Sequence, residues 1–296
     1  MDLSTYKAFI SVAELGSFSR AAKALYITQP AVSKRIALLE QQLGSSLFDR
    51  IGRKVLLNEA GKALLPVALR IMQEIKESQR VIDNLSGEVS GALSLVTSHH
   101  IGLRRLPDYL KTFTQTHPNV RLDLAFMDSE NACQKIEKGD FELGVVTLPL
   151  KPAKRLKITP LWNDPLSIAV APGHPLVEIA HQTKISLTEL AKHSAILPAI
   201  GTYTRTVIEK PLLQKQQQRK LDVIMETNYL ETIRMMVSIG LGWSALPKTM
   251  IEKDLVEIPV KGLHIERTLG IVQHAQRSLS NAGKVFIQQL VSPNGV

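Results

Sequence analysis

The chain has 296 residues, 44% of them apolar and 21% charged, with a net charge of +9. Those proportions exclude a disordered or fibrous chain, leave room for two or three domains with real cores, and point to an anionic partner. A single cysteine, Cys133, excludes an internal disulfide and fits a reducing compartment. The start, MDLSTYKAFISVAEL, lacks the basic and apolar regions of a signal peptide, and no run approaches about 18 consecutive apolar residues. A cytoplasmic protein with no membrane partner is expected.

Residues 1–58 read as three short helices and a turn. They carry eight Lys and Arg against four acids, so charge alone does not single out this segment; only placement can. SFSRAAKAL (17–25) forms a helical pattern with Ser17 as a candidate cap and Phe18, Ala21, Ala22 and Leu25 inward. After the short YIT (26–28), Val32, Ile36, Leu39 and Leu43 recur at helical spacing and form one buried stripe. Gln29, Pro30, Ser33 and Lys34 lie on the other, N-terminal face, with Thr28 as the cap and Pro30 tolerated in the first turn. A helix-turn-helix puts such a face into the major groove, where Gln reads adenine and Lys reads guanine. A helical bundle with a polar face fits these residues equally well. Arg50, Gly52, Arg53 and Lys54 then form a basic turn between two apolar stretches, which is either a solvated hairpin or a wing on phosphate.

Residues 59–88 read as one long helix. Leu64, Ala68, Ile71, Ile75, Ser78, Ile82 and Leu85 alternate spacings of four and three, an a/d seam suited to a dimerisation helix. SGEVSG (86–91) is a Gly/Ser linker.

From residue 92 strands alternate with helices, which predicts a mostly parallel, doubly wound sheet. Strands are expected at 92–97, 120–126, 141–148, 165–171, 220–227, 242–247 and 266–275. Helices are expected at 102–117, 129–139, 202–218 with an interruption at Pro211, 229–240 and 281–291. Cys133, on a helix, reads as a small packed residue. His99 and His100 are adjacent, with no His-x3-His or Cys cluster beside them, so no metal is expected. No Gly-rich phosphate loop, HExxH or GxSxG occurs, so neither catalysis nor a cofactor is expected.

The segments FISVAELGSFSRAAKAL, ITQPAVSKRIALLEQQLG, LFDR and LNEAG together resemble the winged helix-turn-helix of LysR-type transcriptional regulators, nearly continuously over residues 3–65. Asn58 stands where that family usually has Thr, and is an equally good helix cap. The resemblance implies a multidomain α + α/β chain. A winged helix-turn-helix would occupy 1–58, a linker and dimerisation helix 59–88, and a periplasmic-binding-protein-like effector domain 91–296. Its subdomain I would span about 91–160 and 266–296, and its subdomain II about 161–265, with crossings near 160 and 266. The function implied is sequence-specific DNA binding controlled by a small effector between the two subdomains.

Expected DNA-binding residues are Ser17, Ser19, Thr28, Gln29, Pro30, Ser33, Lys34 and Arg35, with Arg50, Arg53 and Lys54 on the wing. Expected effector residues are Thr97, Ser98, His99, Thr147, Gly201, Thr202, Thr204 and Asn228, whose hydroxyls and helix-start amides suit a carboxylate or other anion. Arg104 and Arg105, one turn on, either deepen that site or are solvated. Two-fold symmetry predicts an inverted-repeat site on double-stranded DNA. The resemblance adds a homotetramer built from dimers, and RNA polymerase as a candidate partner.

Overall fold

The structure, a computed structural model, describes residues 2–51, 54–85, 87–215 and 221–292. The chain forms two compact units, Met1–Ser86 and Gly87–Val296.

The first unit is built from α1 (Leu3–Leu15), α2 (Phe18–Ala24), α3 (Gln29–Leu43), β1 (Phe48–Ile51), β2 (Lys54–Leu57) and α4 (Glu59–Leu85). Each early helix starts on a side-chain cap: Asp2, Ser17 and Thr28 accept from the backbone of Ser4, Arg20 and Ala31. Gly16 and Gly44 end α1 and α3 in the left-handed conformation, which costs glycine little. Asn58 caps α4, its Oδ1 accepting from Gly61 N at 2.9 Å, while its Nδ2 donates to Ser46 O at 2.8 Å. The core joins Phe9 and Val12 of α1, Ala21 and Ala22 of α2, Val32, Ile36 and Leu39 of α3, and Ala68 of α4. The two alanines allow α2 and α3 to cross closely. Strands β1 and β2 pair antiparallel in register Phe48↔Leu57 to Ile51↔Lys54.

α4 runs 27 residues, about 40 Å at 1.5 Å per residue, straight through Pro66. Its seam divides in two. Leu64, Ala68 and Ile71 pack on the head. Ile75, Ile82 and Leu85 are 37%, 62% and 79% exposed.

The second unit follows as β3 (Gly91–Thr97), α5 (His99–Arg104), α6 (Pro107–Thr116), β4 (Val120–Phe126), α7 (Ser129–Lys138), β5 (Leu143–Thr147), β6 (Leu156–Val170), α8 (Pro175–Gln182), α9 (Leu187–Leu190) and β7 (Ala195–Leu197). It continues with α10 (Tyr203–Lys215), β8 (Val223–Glu226), α11 (Leu230–Ser238), β9 (Ser244–Pro247), a 3₁₀ turn (Lys248–Met250), β10 (Val256–Ile258), β11 (Ile265–His274) and α12 (Asn281–Val291). The central sheet runs β10-β6-β11-β5-β3-β4, with β9 also on β6, and β7 pairs with β8.

Four expectations are corrected. The sheet is mixed, not mostly parallel. β3–β4, β3–β5 and β7–β8 are parallel, but every ladder of β6 and β11 is antiparallel. These two strands pair with each other along both subdomains; β11 runs against β5 in the first lobe, and β6 runs against β9 and β10 in the second. Second, the strand expected from Pro165 starts at Leu156. Pro160 and Pro165 look like breakers, but both sit where β6 has β11 as its ladder partner, and β9 joins on the other side only from Leu166. Third, the helix expected over 102–117 is two helices: α5 stops at Arg104 and α6 restarts at Pro107, which has no N–H to continue the ladder. Fourth, α10 continues through Pro211, held by Val207, Ile208 and Leu212 in the core; residues 216–218 lie outside the described residues.

Alternation along the strands feeds two cores in each lobe. Leu93 and Leu95 of β3 face Phe113 and Phe286, whereas Val96 faces Cys133 and Ile136 on α7. Ile168 and Val170 of β6 face Trp243 and Ile208, whereas Ala169 faces Ile233 and Val237 on α11.

Candidate functional site

In the first unit the start of α3 is presented outward. Thr28, Gln29, Pro30 and Lys34 are exposed, and Ser33 and Arg35 are half-buried. The Gln29 amide donates to Ser33 Oγ at 2.9 Å, which ties these two side chains one turn apart on one edge. Arg35, two residues beyond Ser33, lies about 200° further round the helix; the Asp2 carboxyl is held low chiefly by hydrogen bonds from Ser4, with a smaller contribution from the Arg35 charge. Ser19 is exposed on α2, and the Ser17 hydroxyl is engaged as the α2 cap. Tyr26, in the α2–α3 turn, was missed in the sequence; it is 95% exposed and takes a left-handed φ of 55°. Arg50 and Lys54 lie on β1 and β2. Gly52, Arg53 and the side chains of Arg50 and Lys54 lie outside the described residues.

The second unit holds a cavity of about 40 Å³ where the two lobes meet. Six expected residues line it: Ser98, His99, Thr147, Thr202, Thr204 and Asn228. They reach it because β3, β5, β7 and β8 all end there, with helices starting just beyond β3, β7 and β8. Two expected residues do not line it. The Thr97 side chain is buried and donates to Val145 O at 2.7 Å, inside the sheet. Gly201 is exposed in a left-handed turn.

Several of the six already have work within the fold. Thr202 caps α10, accepting from Arg205 N at 3.1 Å. Asn228 accepts from Ala199 N at 2.9 Å and donates to Asp128 at 2.8 Å. Thr204 accepts from Arg267 at 2.8 Å. Ser98, at the start of α5, makes no side-chain cap bond. His99 stacks on Phe126 from its own lobe and against Tyr229 of the other, with ring centroids 5.4 Å and 4.8 Å away.

The wall also contains Asp128, Ser129, Glu130 and Arg267, which the sequence did not single out, and His100, which it weighed only as a metal ligand. Arg267 is buried near the start of β11, its Nε donating to Asp164 at 2.8 Å. Arg105 approaches the same carboxylate at 3.5 Å. The Glu130 carboxylate accepts from Tyr203 N across the cleft. Burial holds its pKa above the ordinary value, and neighbouring Asp128 adds to the rise. His100 is 5% exposed and neither ring nitrogen has a hydrogen-bond partner. Burial and then Arg267 push its pKa down to about 4, so the ring is neutral at pH 7. The one sequence signal for Arg267 was a cation inside an apolar strand pattern.

Arg104 does not line the cavity; it is exposed, with its guanidinium engaged in ion pairs. It forks onto Glu231 at 3.0 and 3.2 Å and reaches Glu252 at 3.3 Å, bridging the lobes. Cys133 is buried, its thiol pushed up to about 11 by burial. Among the described residues no three His, Cys, Asp or Glu gather as a metal site, and no helix is long and apolar enough to cross a membrane.

Residues 3–62 match the sequence model described as "Bacterial regulatory helix-turn-helix protein, lysR family", and residues 86–292 match "LysR substrate binding domain". An Azotobacter vinelandii protein named "Uncharacterized HTH-type transcriptional regulator in ibpB-leuC intergenic region" is 63% identical over 107 residues, 36% of this chain and 74% of that protein. A Synechocystis protein named "Probable RuBisCO transcriptional regulator" is 32% identical over 289 residues, 95% of this chain and 83% of that protein. The crystal structure of full-length CbnR with its target DNA superposes with a TM-score of 0.65 at 22% identity, covering 98% of this chain and 99% of that one. At that identity the likeness is one of fold.

Proposed function

Because the chain belongs to the LysR family, and is therefore a DNA-binding transcriptional regulator rather than an enzyme, we propose that a small effector bearing an acid group enters the cavity between the two lobes and sets how the reading heads engage DNA. The observation that carries this reading is the cavity itself: hydroxyls and amides from both lobes converge on it at strand ends and helix starts. A ligand touching both lobes favours their closed arrangement, and it shifts regulation only as far as it binds the two arrangements differently.

On the DNA side, Gln29, Pro30, Ser33 and Lys34 enter the major groove. Thr28, Ser17, Ser19 and Arg35 flank them, and Arg50, Arg53 and Lys54 sit on phosphate or in the minor groove. The exposed half of the α4 seam pairs with a second copy, so residues 59–88 carry a homodimer and the site is an inverted repeat; two dimers then form a tetramer.

Two measurements test this. The full chain is used to select a DNA site from a random pool. Ser33→Ala with Lys34→Ala is expected to weaken that site by roughly 1–3 kcal/mol per lost base contact; an unchanged footprint refutes the assignment. A thermal-shift library of small acids is expected to yield a stabiliser whose effect falls in Ser98→Ala, a change that removes a hydroxyl without removing a helix cap. A stabiliser indifferent to that change moves the effector site elsewhere.

A further inference from the structure

We propose that the cavity takes a compact amino-acid-like zwitterion, with its protonated amine on Asp128 and Glu130, its acid group on Ser98 and Arg267, and His100 bonded to one of those ends. This rests on reading the cleft as the effector site and narrows the ligand's class.

Two carboxylates in the wall are not what a site for a simple anion calls for. Asp128 stands at the N-cap of α7 yet accepts no cap bond from its own helix; it turns instead to Asn228 of the opposite lobe. Glu130 is likewise directed across the cleft to Tyr203 N. The balancing cation, Arg267, is already matched by Asp164, which Arg105 also approaches. With both cleft acids ionised, these five groups carry one net negative charge. A plain carboxylate would deepen that imbalance in a part-buried site, where like charges are poorly screened. A ligand with an amine and an acid group leaves the balance unchanged and sets each charge against its opposite.

His100 supplies the second, independent observation. It is 95% buried by its 5% exposure, lines the cavity, and has no partner on either nitrogen. A neutral imidazole has one N–H and one lone pair, so it asks for one acceptor and one donor. A carboxylate offers only acceptors and an alkylammonium only donors. An amino acid offers both, so it can match whichever ring nitrogen faces the cavity, donor or acceptor. Arg267 Nη2, also without a well-directed hydrogen bond, and the uncapped Ser98 hydroxyl are further donors for the acid end. The volume, about 40 Å³, is that of a few waters, so the ligand is compact or the lobes part slightly to admit it.

The test is calorimetry and thermal shift on the full chain with matched probes. The twenty common amino acids form one panel, their des-amino acids (propionate for alanine) a second, and their decarboxylated amines (ethylamine for alanine) a third. At least one amino acid is expected to raise the unfolding midpoint by roughly 5–10 °C at about 100 times its Kd, while its two partial analogues do not. Glu130→Gln and Asp128→Asn are each expected to weaken that binding about tenfold or more. His100→Phe, which fills the cavity without burying a new charge, is expected to abolish it. A des-amino acid that binds as well as its amino acid overturns the zwitterion and leaves the effector cleft standing. Amino-acid binding that survives both carboxylate variants overturns it too. Three silent panels also overturn it, and the cleft reading falls with it only if the wider acid library is silent as well.

Discussion

His100 shows how one side chain couples the cleft to the stability of its unit. Its imidazole titrates near 4 in the folded chain and near 6.5 when unfolded. Above pH 6.5 neither state binds the proton and the residue has no pH effect. As pH falls from 6.5 to 4 the unfolded chain takes up a proton that the folded one refuses, so stability falls. The loss is expected to reach about 3 kcal/mol by pH 4. Urea unfolding at pH 7 and pH 4.5 should show it as a steeper decline in the native chain than in His100→Gln. Equal declines would mean that the ring is protonated in the folded state, and the donor–acceptor argument for the cleft ligand would go with it.

Among the elements, α4 has the clearest division of labour. Its first turns belong to the head's core through Leu64, Ala68 and Ile71. Further along, Ile75, Ile82 and Leu85 leave an apolar stripe in water, which a soluble helix normally covers. Ile82→Lys with Leu85→Lys is expected to halve the mass seen by light scattering at micromolar protein. Because neither residue is in the head's core, the circular dichroism of the chain should be nearly unchanged. A mass that does not move would put the self-association elsewhere. α3 divides on a finer scale. Val32, Ile36 and Leu39 fasten it, and the Gln29–Ser33 hydrogen bond prepares one edge. Arg35 belongs to a different edge, about 200° round the helix from Ser33. Arg35→Ala is therefore expected to cost less specific binding than Lys34→Ala, a ranking that titration on the selected DNA site can check.

At the scale of the whole second unit, the lobes are held together by bonds that cross the cleft: Arg104 to Glu231 and Glu252, Asp128 to Asn228, and Glu130 to Tyr203 N. Arg104 is 32% exposed at its side chain, so its ion pairs contribute about 0–1 kcal/mol to stability. Closure is a smaller difference than folding, and such a pair can decide it. Arg104→Ala is expected to leave the unfolding midpoint within about 4 °C while speeding hydrogen exchange at the start of α11. A much larger fall in the midpoint would make the bridge part of the fold rather than of its closure.

Periodicity and capping residues by themselves determined much of this protein. The 3.6-residue repeat marked α3 and α4, and alternation marked β4. Thr28, Ser17 and Asn58 announced helix starts with their own hydroxyls and amides. These are local interactions, complete within a few residues, so they can be read from a line of text. Tertiary structure alone decided the rest. Whether Pro160 and Pro165 break a strand depends on which edge of β6 is paired there. Whether His100 is a surface histidine or an unpartnered buried ring depends on lobes more than a hundred residues apart closing over it. Asp128, Glu130 and Arg267 read as ordinary charges until β6 and β11, crossing between the lobes, bring them to one cavity. Burial and charge neutralisation are properties of what surrounds a group, and for these residues the surroundings come from distant parts of the chain.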